Sequence, residues 1–110
     1  MNTENTKAQM RKGILELCIL AILKRGECYP SEILEALRST ELIVVEGTLY
    51  PLLTRLKNAE LLSYRWEEST SGPPRKYYAL TQNGEAVLND LKDSWLGLAE
   101  SVNNLINEKS

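Results

Sequence analysis

Side chains that could act as nucleophiles or acid–base catalysts are scarce in this chain of 110 residues, which contains no histidine and two cysteines. Without imidazole the chain cannot form a Ser-His-Asp or Cys-His catalytic pair, nor a metal site with histidine ligands. Cys18 and Cys28 lack the C-x-x-C spacing of zinc sites, and Cys18 falls in an apolar run. A buried thiol is the ordinary interpretation of such a cysteine, and a reactive thiol is the alternative. We therefore predict no catalytic residue, no metal and no cofactor.

Side chains suited to nucleic acid gather in two short segments. No acidic residue lies between positions 47 and 59, and Arg75 and Lys76 follow a segment rich in serine, glycine and proline. Hydroxyl, amide and cationic groups donate hydrogen bonds to phosphates and base edges. A solvated helix face is the alternative for the first segment, and neutralisation of the cations by Glu67 and Glu68 is the alternative for the second. The polar candidates for DNA contact are Thr48, Tyr50, Thr54, Arg55, Asn58, Arg75 and Lys76.

Apolar residues at helical spacing predict the elements that position these segments. The leucines between positions 49 and 56 recur at i, i+3, i+4 and i+7, so the third helix has an apolar face and a polar outer face. Pro51 is acceptable only in the first turn, so this helix begins near Gly47. The first helix should be mostly buried, and Thr81 should cap the last one. Three predicted helices span about residues 7–25, 31–38 and 82–106, and another begins near residue 47. Residues 42–45 are predicted to form a small strand or an extended connection.

A β-hairpin is predicted after the third helix, with strands at 61–67 and 76–81. Every second residue from Leu62 to Trp66 is apolar or aromatic, so one face of the first strand should be half-buried. The connecting residues 68–75 are too many for a tight turn and should protrude. The fold class is therefore mostly helical with a small hairpin, in the element order of a winged helix-turn-helix. In that fold the third helix enters the DNA major groove and the hairpin, or wing, reaches the minor groove or the backbone.

The last predicted helix carries the most regular apolar pattern, with spacings of 3, 4, 3, 4 and 3 residues. Such a heptad seam packs against another helix. Because the rest of the chain is too small to cover it, we predict a homodimer; packing on the first helix of the same chain is the alternative. The chain then divides into a winged-helix domain at 1–81 and a C-terminal dimerisation helix at 82–110, within one folding unit. The seam residues are Leu88, Leu91, Trp95, Leu98, Val102 and Leu105.

Two stretches of the sequence, GTLYPLLTRL at 47–56 and GPPRKYYALTQNG at 72–84, resemble the PadR family of bacterial transcriptional regulators. The segment RKGILEL at 11–17 is similar to the first helix of that family, so the resemblance covers about residues 9–106. It implies a dimeric winged-helix repressor. The single C-terminal helix resembles the compact branch of the family.

The resemblance also implies roles for individual residues. It places Tyr50 and Pro51 in the recognition helix and Arg75 and Lys76 in the wing, and it makes the last helix the dimer contact. In compact members a tryptophan of the last helix stacks on planar ligands in a cavity at the dimer interface. Trp95 lies in the similar position and is the implied effector-binding residue. The alternative is that Trp95 only fills the dimer core.

The chain departs from the family pattern at two places. Pro30-Ser31 stands where a Gly-Tyr pair usually opens the second helix, and Ala59-Glu60 stands where a glycine commonly follows the recognition helix. The second departure places a carboxylate near the expected DNA surface. Both bear on operator choice and on the strength of DNA binding.

The charge distribution limits how DNA can be bound. The net charge of −2 arises in residues 81–110, which hold 2 basic and 5 acidic groups. Residues 1–80 hold 11 basic and 10 acidic groups and are nearly neutral. A nearly neutral DNA-binding part predicts modest nonspecific affinity. With no signal peptide or membrane-spanning segment in the sequence, we predict a cytoplasmic repressor that binds a pseudo-palindromic operator in double-stranded DNA as a homodimer. The resemblance implies that a small planar, aromatic effector releases it. A winged-helix module for protein partners is the alternative, which the mild acidity favours.

Overall fold

The computed structural model describes residues 3–42 and 44–107. Helices and one antiparallel two-stranded hairpin make up the described chain, so the predicted class, mostly helical with a small β-hairpin, is confirmed. Three helices precede the hairpin, and the longest helix follows it. The elements are α1 (Thr3–Lys24), α2 (Pro30–Arg38), α3 (Glu46–Asn58), β1 (Leu62–Ser69), β2 (Gly72–Leu80) and α4 (Gln82–Asn107).

The hydrophobic core lies between α1, α2 and α3 and continues under the hairpin. Leu49 and Leu53 of α3 are completely buried, as the spacing of the leucines predicts. They belong to one cluster with Ile19 and Leu20 of α1 and Ile33 of α2. Because this face of α3 is used for packing, its opposite face is left to the solvent and to any ligand.

Only the second half of α1 is buried, which corrects the prediction of a mostly buried helix. The helix begins at Thr3 rather than near Lys7, and residues 3–10 are exposed. Met10, which the apolar spacing assigned to the buried face, has 69% of its surface in solvent. The reason is that these first turns extend past the three-helix core, and no described element covers them.

The other helix starts are close to the predicted ones. α2 begins at Pro30, one residue before the predicted position. α3 begins at Glu46, so its first turn contains one carboxylate, and Pro51 lies inside the helix and not in the first turn as predicted. The described residues of the segment 42–45 have no regular secondary structure, which fits a connection rather than a strand. Ile43 of that segment lies outside the described residues.

The hairpin is longer than the sequence predicts, and its turn is tighter. Apart from one bulge, the two strands pair from Leu62 opposite Leu80 to Ser69 opposite Gly72. Only Thr70 and Ser71 remain for the turn. The prediction of a protruding loop over 68–75 is therefore wrong.

Two prolines explain why the sequence pattern misplaced this loop. Pro73 and Pro74 lie within β2, where the register shifts so that these two residues oppose the single residue Glu68. Such a bulge, in a two-stranded sheet with open edges, requires no ladder hydrogen bond from the proline nitrogens. Prolines that normally mark a loop are thus accommodated in the strand.

A one-residue bridge, which the sequence did not predict, joins the wing to the helical core. The N–H of Cys28 donates to the carbonyl oxygen of Tyr78 at 3.0 Å, and the N–H of Tyr78 donates to that of Cys28 at 2.8 Å. The connection between α1 and α2 therefore runs along β2. As a consequence Tyr29, the residue before α2, lies beside Tyr77 of the wing, with 4.4 Å between the ring centroids.

The start of α4 is fixed by two residues of the Thr81–Gly84 turn. The hydroxyl oxygen of Thr81 accepts the N–H of Gly84 at 2.9 Å and lies 2.7 Å from the carbonyl oxygen of Glu60, so the predicted cap is confirmed. Gly84 is buried, and a Cβ on it would lie 2.1 Å from the carbonyl oxygen of Leu61. The absence of a side chain at Gly84 lets α4 lie directly against the chain entering β1.

The end of α3 has a left-handed residue that is not glycine. The N–H of Glu60 donates to the carbonyl of Lys57 at 2.9 Å, and the N–H of Leu61 donates to that of Leu56 at 3.0 Å. This pair of hydrogen bonds is the Schellman motif, in which the residue after the helix cap has left-handed backbone angles. Glycine usually occupies that position. Glu60 adopts φ 65° here. The Ala59-Glu60 departure noted in the sequence therefore falls on a strained backbone position.

Burial divides the seam of α4 into two parts. Leu88 has only 6% of its surface exposed and Leu91 is half-buried, and both pack on the core of their own chain. The other four seam side chains have exposed fractions between 41%, at Trp95, and 78%, at Leu105. Packing within one chain therefore accounts for the first two seam positions, and no described element covers the other four.

Candidate nucleic-acid interface

The outer face of α3 is divided between two depressions, one on each side of the helix. Tyr50 and Thr54 line the depression toward the wing. Thr48, Pro51 and Arg55 line the depression toward α1. The structure therefore brings together some, but not all, of the residues that the sequence proposed for DNA contact.

The depression on the wing side, which we call the wing cleft, joins the two sequence segments proposed for DNA contact. It has a volume of about 510 Å³ and is open to solvent. It contains hydroxyl, aromatic and cationic groups, and none of the described carboxylates lines it. Its lining includes Tyr29, Ser31, Tyr50, Thr54, Trp66, Arg75, Lys76 and Tyr78.

The two cations of the wing are not neutralised by acidic neighbours. Glu67 lies opposite Arg75 in the hairpin, but its carboxylate pairs with Arg65 at 2.8 Å. Among the described residues, no Asp or Glu oxygen lies within 4.0 Å of a side-chain nitrogen of Arg75 or Lys76. The alternative in which Glu67 and Glu68 neutralise these cations is therefore wrong for this structure.

Arg75 is held on one face of the hairpin by a stack of aromatic rings. Its guanidinium lies 5.3 Å from the ring centroid of Tyr29, which makes an edge contact with Tyr77. Tyr77 in turn lies 4.7 Å from the guanidinium of Arg65. Partial burial, reinforced by the Glu32 carboxylate, raises the pKa of the Tyr77 hydroxyl. The stack fixes the direction in which Arg75 leaves the wing.

Lys76 leaves the opposite face of the hairpin, between two other rings. Its ammonium lies 4.5 Å from the ring centroid of Tyr64 and 5.4 Å from that of Trp66. The two rings are 6.1 Å apart and perpendicular. Neighbouring residues of one strand thus present a cation on each face of the wing, and both cations line the same cleft.

The depression on the α1 side contains a cation that already has a partner. The guanidinium of Arg55 forms an ion pair with the carboxylate of Glu16 on α1. Both side chains are partly exposed, so this pair contributes at most about 1 kcal/mol to stability. Lys12 and Thr48 line the same depression. Arg55 therefore already has an ionic partner within its own chain.

Asn58, the last candidate of α3, lies apart from the other residues. It lines a third depression with Lys57, Glu60, Tyr64 and Trp66, at the junction of α3 and β1. The carboxylate that the sequence placed near the DNA surface, that of Glu60, is in this depression and not in the wing cleft. The two depressions share Trp66 as a common wall.

Tyr29 and Trp66 line the wing cleft, and sequence reasoning missed both. Trp66 was assigned to a half-buried strand face, yet 61% of its surface is exposed because the hairpin extends beyond the core. The alternation of β1 places Trp66 on the same face as Leu62 and Tyr64, but it does not show that the core contact of the strand ends at Tyr64. Tyr29 could not be found from the sequence pattern either, because the bridge at Cys28 brings it to the wing.

The cysteines show no feature of reactive or metal-binding thiols. Cys18 and Cys28 are free and half-buried, and burial raises the pKa of both thiols. Cys28 also lies near the Glu32 carboxylate, which raises its pKa further. In residues 3–42 and 44–107 no group of three potential ligands could hold a metal ion. The helices of this same part of the chain are too short or too polar to cross a bilayer.

Comparison with known proteins identifies one family along most of the fold. Residues 19–90 match the family model described as the transcriptional regulator PadR-like family. A PadR-like transcription factor from Bacteroides fragilis is 59% identical, with 92% of this chain and 98% of that chain covered and a TM-score of 0.77. A PadR family transcriptional regulator from Eggerthella lenta is 30% identical, with coverage of 98% and 94% and a TM-score of 0.87.

A more distant structure contains nucleic acid. PadR of Bacillus subtilis, determined in complex with operator DNA, is 23% identical and has a TM-score of 0.67. The likeness covers 71% of this chain and 45% of that chain, and at this identity it concerns the fold alone. The matched part of the present chain thus shares the fold of that protein.

Proposed function

Because this chain belongs to the PadR-like family of transcriptional regulators, which are DNA-binding winged-helix proteins and not enzymes, we propose that it is a cytoplasmic repressor. It binds a pseudo-palindromic operator as a homodimer, with each α3 in a major groove and each wing at the neighbouring minor groove or backbone. Family membership favours DNA over the alternative of a protein-interaction module.

The observation that carries this proposal is the wing cleft, with its two unneutralised cations beside α3. Arg75 and Lys76 supply positive charge, and Tyr50 and Thr54 supply hydrogen-bond donors on the adjoining helix face. Phosphates accept hydrogen bonds from all these groups, and base edges in the major groove are read by polar and cationic side chains of a recognition helix. Thr48, Pro51, Arg55 and Asn58 belong to the same proposed contact surface.

The experiment that tests DNA binding uses a labelled fragment from the promoter region of the protein's own gene, titrated at several salt concentrations. We expect tighter binding than to random DNA of the same length. Replacing Arg75 and Lys76 together by Ala should reduce the slope of log K against log salt by about 2, because each cation that leaves a phosphate removes about one released counterion. Equal affinity for promoter and random DNA would refute sequence-specific binding.

A control with the same change in charge is available elsewhere in the chain. Arg25 follows α1 and Lys92 lies on α4, both exposed and outside the depressions that flank α3. Replacing these two by Ala should leave the salt slope unchanged. If both double variants reduce the slope equally, the effect is one of overall charge and the wing is not in contact with DNA.

The proposed dimer uses the uncovered part of the α4 seam. The four outer side chains of the seam are large, apolar and exposed, and a second copy of α4 would bury them; they are Trp95, Leu98, Val102 and Leu105. We expect Leu98→Asp to give a monomer in sedimentation velocity, whereas Asn103→Asp on the same helix should leave the dimer intact. Wild-type protein that sediments as a monomer at micromolar concentration would refute the dimer.

Trp95 is the proposed effector-binding residue. Its ring is 41% exposed in one chain and lies in the middle of the seam, so two copies would face each other across the dimer. A planar aromatic ligand could stack on them. In a Trp66→Phe variant, Trp95 is the remaining one of two tryptophans, so acridine should quench its emission and weaken operator binding. Emission that acridine does not change would indicate that Trp95 only fills the interface.

A further inference from the structure

We propose that Trp66 is a DNA-contact residue of the wing, which packs its indole against deoxyribose rings at the edge of the minor groove. In this arrangement Lys76, held between Trp66 and Tyr64, reaches the phosphate beside those sugars. The inference rests on the proposed function, since it assigns one more contact to the same DNA surface.

The position of Trp66 on the hairpin is the first argument. Leu62, Tyr64 and Trp66 share one face of β1, and their burial decreases along the strand. Leu62 is 2% exposed in the core, Tyr64 is half-buried, and Trp66 is 61% exposed. The face of the strand continues past the point where the core ends, so Trp66 is not covered by its own chain.

The surroundings of Trp66 are the second argument. It forms the wall between the wing cleft, which contains Tyr50 and Thr54, and the third depression, which contains Asn58. The indole is thus an apolar ridge beside the polar face of α3. A bound duplex that contacts Thr54 on one side and Asn58 on the other must also pass over Trp66. Apolar side chains that meet DNA in this way pack on sugars or between base steps.

Charge is the third argument and selects DNA over a second copy of the chain. Lys76 lies within cation–π distance of Trp66, and Arg75 lines the same cleft. A symmetric contact between two copies through this ridge would bring these like charges together. A phosphate backbone would instead supply the opposite charge. Among the described residues, Glu60 is the one acidic residue that lines either side of the ridge, and it lies in the third depression.

Affinity measurements with single variants test the contact. Trp66→Ala should weaken binding to the operator fragment roughly 5- to 100-fold, because an aromatic contact with nucleic acid is lost. Its salt slope should stay that of the wild type, since no ionic contact is removed, whereas Lys76→Ala should reduce the slope by about 1. Trp66→Phe should recover most of the affinity. Leu96→Ala, which shortens another exposed apolar side chain, should bind as the wild type does.

Fluorescence gives a second measurement that does not depend on the Ala variant folding normally. In Trp95→Phe protein the remaining indole is Trp66, and its emission should shift to shorter wavelength when operator DNA is added. The inference is overturned if this emission does not change and Trp66→Ala binds within twofold of the wild type. An emission shift that follows protein concentration without DNA also overturns it, in favour of a second copy. Wild-type protein that binds no promoter DNA overturns the proposed function as well.

Discussion

Gly84 offers the sharpest test of how the C-terminal helix is attached to the winged-helix core. In Gly84→Ala, the new Cβ would lie 2.1 Å from the carbonyl oxygen of Leu61 and 2.7 Å from a methyl carbon of Leu80. An ordinary contact begins at 3.4 Å, so α4 and the backbone at Leu61 must separate by about 1.3 Å. A backbone carbonyl cannot turn away as a flexible side chain can. The helix α4 therefore has to move as a whole, and its own residue Leu88, which is buried in the core, has to move with it.

The size of the effect follows from two opposing contributions. Forcing an extra methyl group into a packed contact costs about 1–3 kcal/mol. Alanine is better than glycine in a helix by up to about 1 kcal/mol, which offsets part of that cost. We expect a net loss of about 1–2 kcal/mol in the free energy of unfolding, or a fall in Tm of roughly 5–15 °C.

Urea denaturation followed by circular dichroism measures this loss, with all proteins at one concentration because association contributes to stability. Gly13→Ala is the matched control, since Gly13 is an exposed helical glycine with nothing within 4 Å of an added Cβ. That variant should be unchanged or more stable by up to about 1 kcal/mol. Wild-type stability in Gly84→Ala would refute the close approach of α4 to the chain before β1.

The remaining predictions concern single residues. Glu60→Gly should raise the free energy of unfolding by about 1 kcal/mol, because glycine adopts the left-handed φ without strain; a destabilised variant would contradict this. Thr81→Ala should lower it by about 1–2 kcal/mol through loss of the cap, and Thr81→Ser should not. Glu16→Gln should tighten operator binding about 1.5- to 5-fold by releasing Arg55, and the gain should vanish in Arg55→Ala protein. Stability is read from urea midpoints and affinity from fluorescence anisotropy.

Features that depend on neighbouring residues in sequence were predicted well. The leucine spacing of α3 decides which face is buried, and the Thr81 cap needs only the three residues that follow it. Of the residues that line the wing cleft, Tyr50, Thr54, Arg75 and Lys76 were named from the sequence, although residues 68–75 were wrongly assigned to a loop. Local signals were sufficient for the buried face of α3 and for the Thr81 cap because each depends on residues within about two turns of one helix.

Contacts between distant segments could not be predicted. The pairing of Arg55 with Glu16 joins residues of different helices, and the place of Tyr29 beside the wing depends on the bridge formed by Cys28. The alternating pattern of β1 gives the direction of Trp66 but not the point at which the core ends. These features depend on how far each element extends past its neighbours. The spacing of residues within one element carries no information about that distance.

The prolines in the wing bear on the thermodynamics of binding. A long serine- and glycine-rich loop would lose much conformational entropy on meeting DNA, whereas a two-residue turn followed by Pro73 and Pro74 has few backbone conformations to lose. The wing is therefore preorganised, and its cations leave the hairpin in directions that aromatic rings already fix. In such a complex the duplex adjusts its groove width to the protein. Operator sequences would then be distinguished partly by how easily they deform.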